Sequence, residues 1–198
     1  MTTLYLVRHA QPDYSAHCDD TEQAPLTEQG RKDAQRVCDF LAEKPIDAIF
    51  SSPFPRARDT VEPLGLRLGL LTQFIEDFHE RTIGVWLEDF HSYAKRQWED
   101  FSYKVSGGEN LREVQQRAVT ALQKLLTDYP NQTLVIGGHG TCTSTILNHY
   151  DSHFGFDDFN RIKSWMPWVV RLNFEGTTYR GRQDLFWIEN GREHLCEQ

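Results

Sequence analysis

Short apolar runs alternate along this chain with longer stretches in which apolar residues recur at helical spacing. Leu4-Tyr5-Leu6-Val7 is an unbroken apolar run ended by Arg8, the pattern of a strand buried on both faces. From Leu26 to Leu41 the period changes, with Ala34, Val37, Cys38 and Leu41 on one face of a predicted helix whose N-cap is Thr27. Asp47 to Ser51 predicts a second strand, and a helix follows from about Pro55, which Pro63 is expected to kink or shorten. Leu71 to Glu76 is read as a third strand. Asn110 to Tyr129 carries the strongest helical pattern, with Leu111, Val114, Ala118, Ala121, Leu122 and Leu125 in phase behind the turn signal Gly107-Gly108. Thr133 to Ile136 predicts a buried strand that Gly137-Gly138 should end, and Thr141 to Tyr150 predicts a helix opening beside His139. Trp168 to Phe174 and Tyr179 to Ile188, separated by Glu175-Gly176-Thr177-Thr178, form a predicted hairpin closing the sheet.

This alternation predicts an α/β fold, a three-layer α/β/α sandwich around a mostly parallel but mixed central sheet. Residues 1–198 read as a single domain without internal repeat or linker. Asp77 to Gly108 breaks the alternation and is read as an inserted helical cap segment over one end of the sheet. It holds Phe78, Trp86, Phe90, Tyr93, Trp98, Phe101 and Tyr103. Those rings either line a pocket for an apolar leaving group or pack the insertion onto the domain, and packing is the expected use.

Composition narrows the function. With 198 residues, 39% hydrophobic and 25% charged, the chain has the content of one compact domain with a sizeable core. A formal charge of −8 argues against a nucleic-acid surface, which depends on clustered Lys and Arg. An anionic substrate therefore needs a locally basic pocket. Cys18, Cys38, Cys142 and Cys196 fall in no ligand or disulfide spacing, so no metal and no other cofactor is implied. The opening apolar run is too short for a signal peptide or a membrane span, and a reducing cytoplasm is the expected location. Assembly into a homo-oligomer is compatible with the sequence but not written in it.

In open α/β sheets ligands bind beyond the carboxyl ends of the strands. Arg8 and His9 follow the first predicted strand, Ser51, Ser52 and Arg56 the second, and His139, within Gly-Gly-His-Gly, the strand at Thr133 to Ile136. Each piece alone is ordinary, but their joint placement puts two arginines and two histidines at one sheet edge. The guanidinium fork matches pairs of phosphate oxygens. Neighbouring arginines lower a histidine pKa, leaving a neutral imidazole nucleophile at physiological pH without an external base.

The segment Leu6-Val7-Arg8-His9-Ala10 resembles the opening signature of the histidine phosphatase superfamily, which includes the cofactor-dependent phosphoglycerate mutases. Further matching motifs follow in order: Leu26-Thr27-Glu28-Gln29-Gly30, the run from Ser51 to Thr60, Phe78-His79-Glu80-Arg81 with Gly84, Gly107 to Leu111, and Gly138-His139-Gly140. The resemblance spans roughly Leu4 to Leu147. It implies that His9 is phosphorylated, that Arg8, Arg56 and His139 hold the phosphoryl oxygens, that Glu80 protonates the leaving group, and that no metal takes part. Glu80 lies in the aromatic insertion, where burial is expected to keep it protonated. Arg81 matches a position that binds the substrate carboxylate in the mutases, and Gly140 is assigned with it to substrate binding. Ser15 stands where many relatives place a phosphate-contacting asparagine, and Ala10-Gln11 replaces a common Gly-Glu.

These residues predict a phosphomonoester hydrolase whose partner is a small phosphorylated metabolite. A phosphoglycerate-type mutase is the alternative, disfavoured by a chain shorter than typical mutases. A non-catalytic phospholigand-binding protein is a third reading, against which the retention of His9, Glu80 and His139 weighs.

Overall fold

The computed structural model describes residues 1–15 and 21–196; Cys18 lies outside them. The first half of the chain runs through β1 (Thr2–Arg8), α1 (Glu28–Ala42), β2 (Ala48–Ser51), α2 (Pro55–Leu68) and β3 (Thr72–Phe74). A 3-10 turn over Glu76–Phe78 then leads to α3 (Phe90–Glu99), α4 (Leu111–Asp128), β4 (Thr133–Gly138), α5 (Gly140–Tyr150) and α6 (Phe156–Ile162), and β5 (Trp168–Glu175), β6 (Thr178–Glu189) and β7 (Arg192–Leu195) close the chain.

The strands form one seven-stranded sheet in the order β3-β2-β4-β1-β5-β6-β7. Pairing is parallel from β3 to β1 and antiparallel from there on, so β1, β2, β3, β4 and β6 run one way and β5 and β7 the other. This is the mixed, mostly parallel sheet expected. Alternation along β1 separates two cores. Leu4 and Leu6 join Phe50, Leu134 and Ile136 under α4, α5 and α6, whereas Tyr5 and Val7 join Ile49 and Val135 under α1 and α2. The unbroken apolar run of β1 thus follows from helices on both faces.

Local signals account for most helix boundaries. The Thr27 hydroxyl accepts the Gly30 N–H at 2.9 Å and starts α1. Asn110 and Glu113 cap α4 reciprocally, each side chain accepting the other's main-chain N–H. An isolated helix of this length is marginal in water, so the stripe from Leu111 to Leu126 packed on the sheet is what holds α4.

Two expectations are corrected. Pro63 does not shorten α2, which continues to Leu68 and ends at Gly69 in the left-handed region (φ 68°). A proline inside a helix costs about 3 kcal/mol, but burial of Val61 and Leu64 contributes about 1.5–3 kcal/mol each and offsets it. Gly137 and Gly138 do not end β4 but belong to it, pairing with Val7 and Arg8 of β1. At Gly137 a Cβ would sit 2.8 Å from Ser51 Oγ of β2 and 3.1 Å from both the Ala57 carbonyl oxygen and Val61 Cγ1 of α2, so that helix lies close against the sheet there. The sequence reading also missed α6 and β7, which are too short and polar to show a period. Among the described residues no helix is long and apolar enough to cross a membrane.

The two glycines should respond differently to alanine. Gly137→Ala is expected to lose about 1–3 kcal/mol, the range for overpacking a tight core. Gly138→Ala should be close to neutral, because its added Cβ would meet only Thr143 Oγ1 at 3.8 Å. Urea unfolding of both variants checks this, and equal losses would show that α2 does not press on β4 at Gly137.

Candidate active site

Strand register builds the site. Arg8 lies opposite Gly138 and Ser51 opposite Gly137, so the residues that follow β1, β2 and β4 emerge side by side. The ladders continue one residue further, with His9 N–H donating to the Gly138 carbonyl at 3.1 Å and Ser52 N–H to that of Gly137 at 2.8 Å. His9 and His139 meet edge to face, their ring centroids 5.4 Å apart.

Both histidines are almost wholly buried. Burial, followed by the charges of Arg56 and Arg8, holds His9 well below its ordinary pKa of 6.5. Burial acts first on His139 as well, then Arg56, His9, His79 and Arg8. The sequence reading named the arginines, but desolvation is the larger cause. His9 Nδ1 lies 2.7 Å from the Ala10 carbonyl oxygen, which only accepts, so Nδ1 carries the hydrogen and Nε2 keeps its lone pair. Ser52 Oγ accepts from Phe54 N–H at 3.3 Å and lies 2.8 Å from His139 Nε2. The serine hydrogen can therefore go to Nε2, which makes His139 Nδ1 a donor.

The arginines are anchored from behind. Arg8 Nη1 donates to the carbonyl oxygens of Ile162, the last residue of α6, and of Lys163 and Trp165 just beyond it, at 2.8, 3.0 and 3.3 Å. Burial pulls its pKa down to about 10 despite the nearby Glu80. Arg56, 4% exposed, stands over the Phe54 ring and donates to the Glu22 carbonyl at 3.4 Å. Thr60 ties α2 to β1, accepting from Ala10 N–H and donating to the Arg56 carbonyl. Arg58, two residues on, is half exposed and paired with Asp59 at 2.8 Å. Arg8 Nε and His139 Nδ1 are buried without a hydrogen-bond partner. Both donors stand in the cluster of His9, Arg8, Arg56 and His139, where an anionic acceptor would satisfy them.

Glu80 is only partly buried, short of the burial expected. Both its oxygens act as acceptors: Oε1 takes the N–H groups of Arg81 at 2.8 Å and Cys142 at 3.1 Å, and Oε2 that of Thr141 at 3.0 Å. The carboxylate thereby caps α5, whose own N-cap His139 makes no side-chain capping bond. The one sequence signal for this is a helix opening on Gly-Thr-Cys, with no local acceptor for its first N–H groups.

The surroundings of the remaining assigned residues differ from one another. Gly140 lies against Arg8, where a Cβ would be 3.0 Å from the guanidinium carbon, so it admits the arginine across the start of α5. Arg81 is buried between the rings of Phe90 and Tyr93, and its Nη1 donates to Gln97 Oε1. Ser15 is exposed, with its hydroxyl on Asp13 Oδ1 at 2.5 Å. The rings of Phe78, Tyr93 and Trp98 are buried as packing, whereas Trp86 and Phe90 are exposed. Among the described residues no group of three or more His, Cys, Asp or Glu side chains is arranged to hold a metal ion. Sequence reasoning did not assign roles to Ser52, Thr60 and His79, which shape the site, or to Arg117.

Residues 4–182 match the family described as the histidine phosphatase superfamily (branch 1). The chain belongs to that superfamily. Its sequence is 29% identical over 153 residues to the uncharacterized phosphatase PhoE of Bacillus subtilis, covering 74% of this chain and 76% of that protein. It is 29% identical over 150 residues to phosphoserine phosphatase 1 of Hydrogenobacter thermophilus, covering 70% and 71%. In fold it matches the mycobacterial glucosyl-3-phosphoglycerate phosphatase with a TM-score of 0.73 over 92% of this chain and 96% of that one, at 20% identity. This histidine phosphatase thus shares the architecture as well as the ordered motifs of its superfamily.

The buried neutral histidines make stability depend on pH. The unfolded chain protonates both near pH 6.5, whereas the native state does so only well below it. Below about pH 6.5 the unfolded state therefore binds more protons, and native stability falls with falling pH by up to about 1.4 kcal/mol per unit for each histidine. Denaturant titrations at pH 7.5 and 5.5 should show a smaller loss for His139→Gln than for the parent chain. Identical losses would mean that His139 already titrates in the native state.

Proposed function

We propose that this chain hydrolyses phosphate monoesters of small metabolites, with His9 Nε2 as the nucleophile that carries the phosphoryl group. One observation carries the reading: His9 Nδ1 is bound to the Ala10 carbonyl, which leaves the Nε2 lone pair of a buried, neutral imidazole among Arg8, Arg56 and His139. Relatives named as phosphatases, one of them for phosphoserine, support the substrate class.

Phosphoryl transfer demands alignment and neutralisation of the charge spread over the equatorial oxygens. Arg8 Nε, His139 Nδ1 and the Arg56 guanidinium are the donors for those oxygens. His9 Nε2 attacks phosphorus while the bond to the leaving oxygen breaks, and Glu80 protonates that oxygen. Oε2 takes a single N–H, so it is the oxygen with room for the proton. The resulting carboxylate then accepts a proton from water as the water attacks phosphorus, releasing phosphate and restoring the Nε2 lone pair. The arginines supply the positive charge, so turnover needs no metal. The residues 1–198 act as one catalytic domain with 77–108 as its cap. The free thiols of Cys38 and Cys142 suit a reducing cytoplasm.

Transfer to water is favoured over return to a sugar acid because Arg81, the matched carboxylate-binding position, is already enclosed by Gln97, Phe90 and Tyr93. Rapid quenching without acid should trap a phosphoenzyme that is acid-labile, alkali-stable and absent from His9→Ala. Free phosphate should accumulate from simple monoesters with or without 2,3-bisphosphoglycerate and in the presence of EDTA. Fast interconversion of 3- and 2-phosphoglycerate with negligible phosphate release would establish the mutase instead. A fully active His9→Ala would remove the histidine from the mechanism.

The two arginines of α2 give a further check. A hydrogen bond to a charged group contributes about 1.5–3 kcal/mol, or roughly 10- to 150-fold in rate. Arg56→Ala should lower kcat/KM by that factor and Arg58→Ala by less than about twofold, since an exposed ion pair contributes little. Equal small losses would place Arg56 outside the cradle.

A further inference from the structure

The geometry points to Arg117, acting with Glu109, as the pair that positions Glu80 for proton transfer. This inference rests on the reading of Glu80 as the proton donor. Arg117 projects from α4, and its side chain is 14% exposed. Its Nε and Nη2 donate to the two oxygens of Glu109 at 2.8 and 3.0 Å, a bidentate pair. Nη1 donates to the main-chain carbonyls of Asp77 at 2.7 Å and His79 at 2.9 Å, and Nη2 reaches that of Glu80 at 3.4 Å. Glu109 takes the Thr82 N–H at 2.9 Å, and its own N–H returns to the Thr82 carbonyl at 2.8 Å. One ion pair therefore grips the main chain on both sides of Glu80.

The surroundings show why this pair and no other. Only a guanidinium presents a planar fork to a carboxylate and retains donors for the carbonyls, whereas the single ammonium of lysine cannot serve both. Burial is the largest single influence and opposes the charge on both partners, but their mutual hydrogen bonds, the Thr82 N–H on Glu109 and the opposite charges around the pair together outweigh it. They hold Glu109 below the usual carboxylate range and Arg117 above its own. The crossing is also steric. Gly84 adopts φ 83°, and a Cβ on Gly108 would lie 2.4 Å from the Ile83 carbonyl oxygen, so the strands of chain leaving Glu80 and entering α4 touch backbone to backbone. Glu80 itself caps α5 through Thr141 and Cys142. Its carboxyl thus stands between a helix that receives it and a guanidinium that aims it. Arg117 touches Glu80 through the carbonyl alone, so it acts as a positioning residue.

Positioning predicts a loss that depends on the leaving group. Single-turnover release of an alkyl leaving group needs the Glu80 proton, while p-nitrophenolate departs with little help. Glu80→Gln comes first and should slow alkyl phosphates by about 100-fold or more, the scale of general acid catalysis, and p-nitrophenyl phosphate far less. If it slows both equally, the reading of Glu80 fails, whatever Arg117 does. Given that split, Arg117→Lys and the near-isosteric Glu109→Gln should each lower alkyl turnover by about tenfold, leave p-nitrophenyl phosphate within about twofold, and leave KM nearly unchanged. The double variant Glu80→Gln/Arg117→Lys should be no slower on alkyl phosphates than Glu80→Gln alone, because the two losses share one cause. Equal losses on both substrates, or full additivity with Glu80→Gln, would make Arg117 a packing residue and overturn the inference. Should Arg117→Lys lose its native circular dichroism, Glu109→Gln decides alone, and a uniform loss or no loss in it counts against the proposal.

Discussion

Two histidines and Arg56 are buried, and Arg8 partly so, at the carboxyl ends of three adjacent strands, and the desolvation of that group shapes much of the molecule. Removing an ion from water costs several kcal/mol even after the protein relaxes. The structure meets that cost in several ways. Arg8 donates to three carbonyl oxygens at the end of α6 and just beyond it, Arg56 stands over an aromatic ring, and both histidines are held in the neutral form. In the proposed mechanism the phosphoryl oxygens complete the compensation, which is why the cradle suits a dianion and needs little else to bind one. The overall negative charge of the chain is irrelevant at this range, since surface charges are screened within about 10 Å.

The other half of the site is built by a different means. Strand ends place His9, Ser52 and His139, and their precision comes from a ladder of main-chain bonds between β1, β4 and β2. Glu80 comes from an irregular segment that has no ladder. Its place is set by α5, which lacks an acceptor of its own at its start, and by the Arg117–Glu109 pair behind it. In the proposed mechanism, a rigid cradle for the phosphoryl group and a clamped loop for the proton suit the two tasks. The first must match a fixed geometry, and the second must serve both a departing ester oxygen and an arriving water.

Arg81 is held by three side chains of the insertion. A guanidinium at that position is suited to a substrate carboxylate, yet here it is sealed between Phe90 and Tyr93 and bound to Gln97. The Gln97 amide is in turn engaged by the carbonyls of Tyr103 and Glu109. The aromatic residues of the insertion therefore serve chiefly to enclose an arginine and pack α3, while Trp86 remains on the surface.

The sequence by itself determined the layered α/β fold, most strands and helices, and which residues gather at the sheet edge. These are properties of period and of position after a strand: Leu4 to Val7 must be covered on both faces, Thr27 and Asn110 carry their own caps, and whatever follows β1, β2 and β4 must emerge together. Six ordered motifs added the superfamily. Tertiary structure alone decided that α2 continues through Pro63, that Gly137 and Gly138 lie inside β4, and that Gly140 makes room for Arg8. It also decided what Glu80 and Arg117 touch. The physical reason is common to all of these. A local pattern records how a residue fits its own helix or strand, but the partner of an N–H at Thr141 or of a guanidinium at Arg117 is chosen only when distant surfaces meet, across 61 and 40 positions of chain respectively.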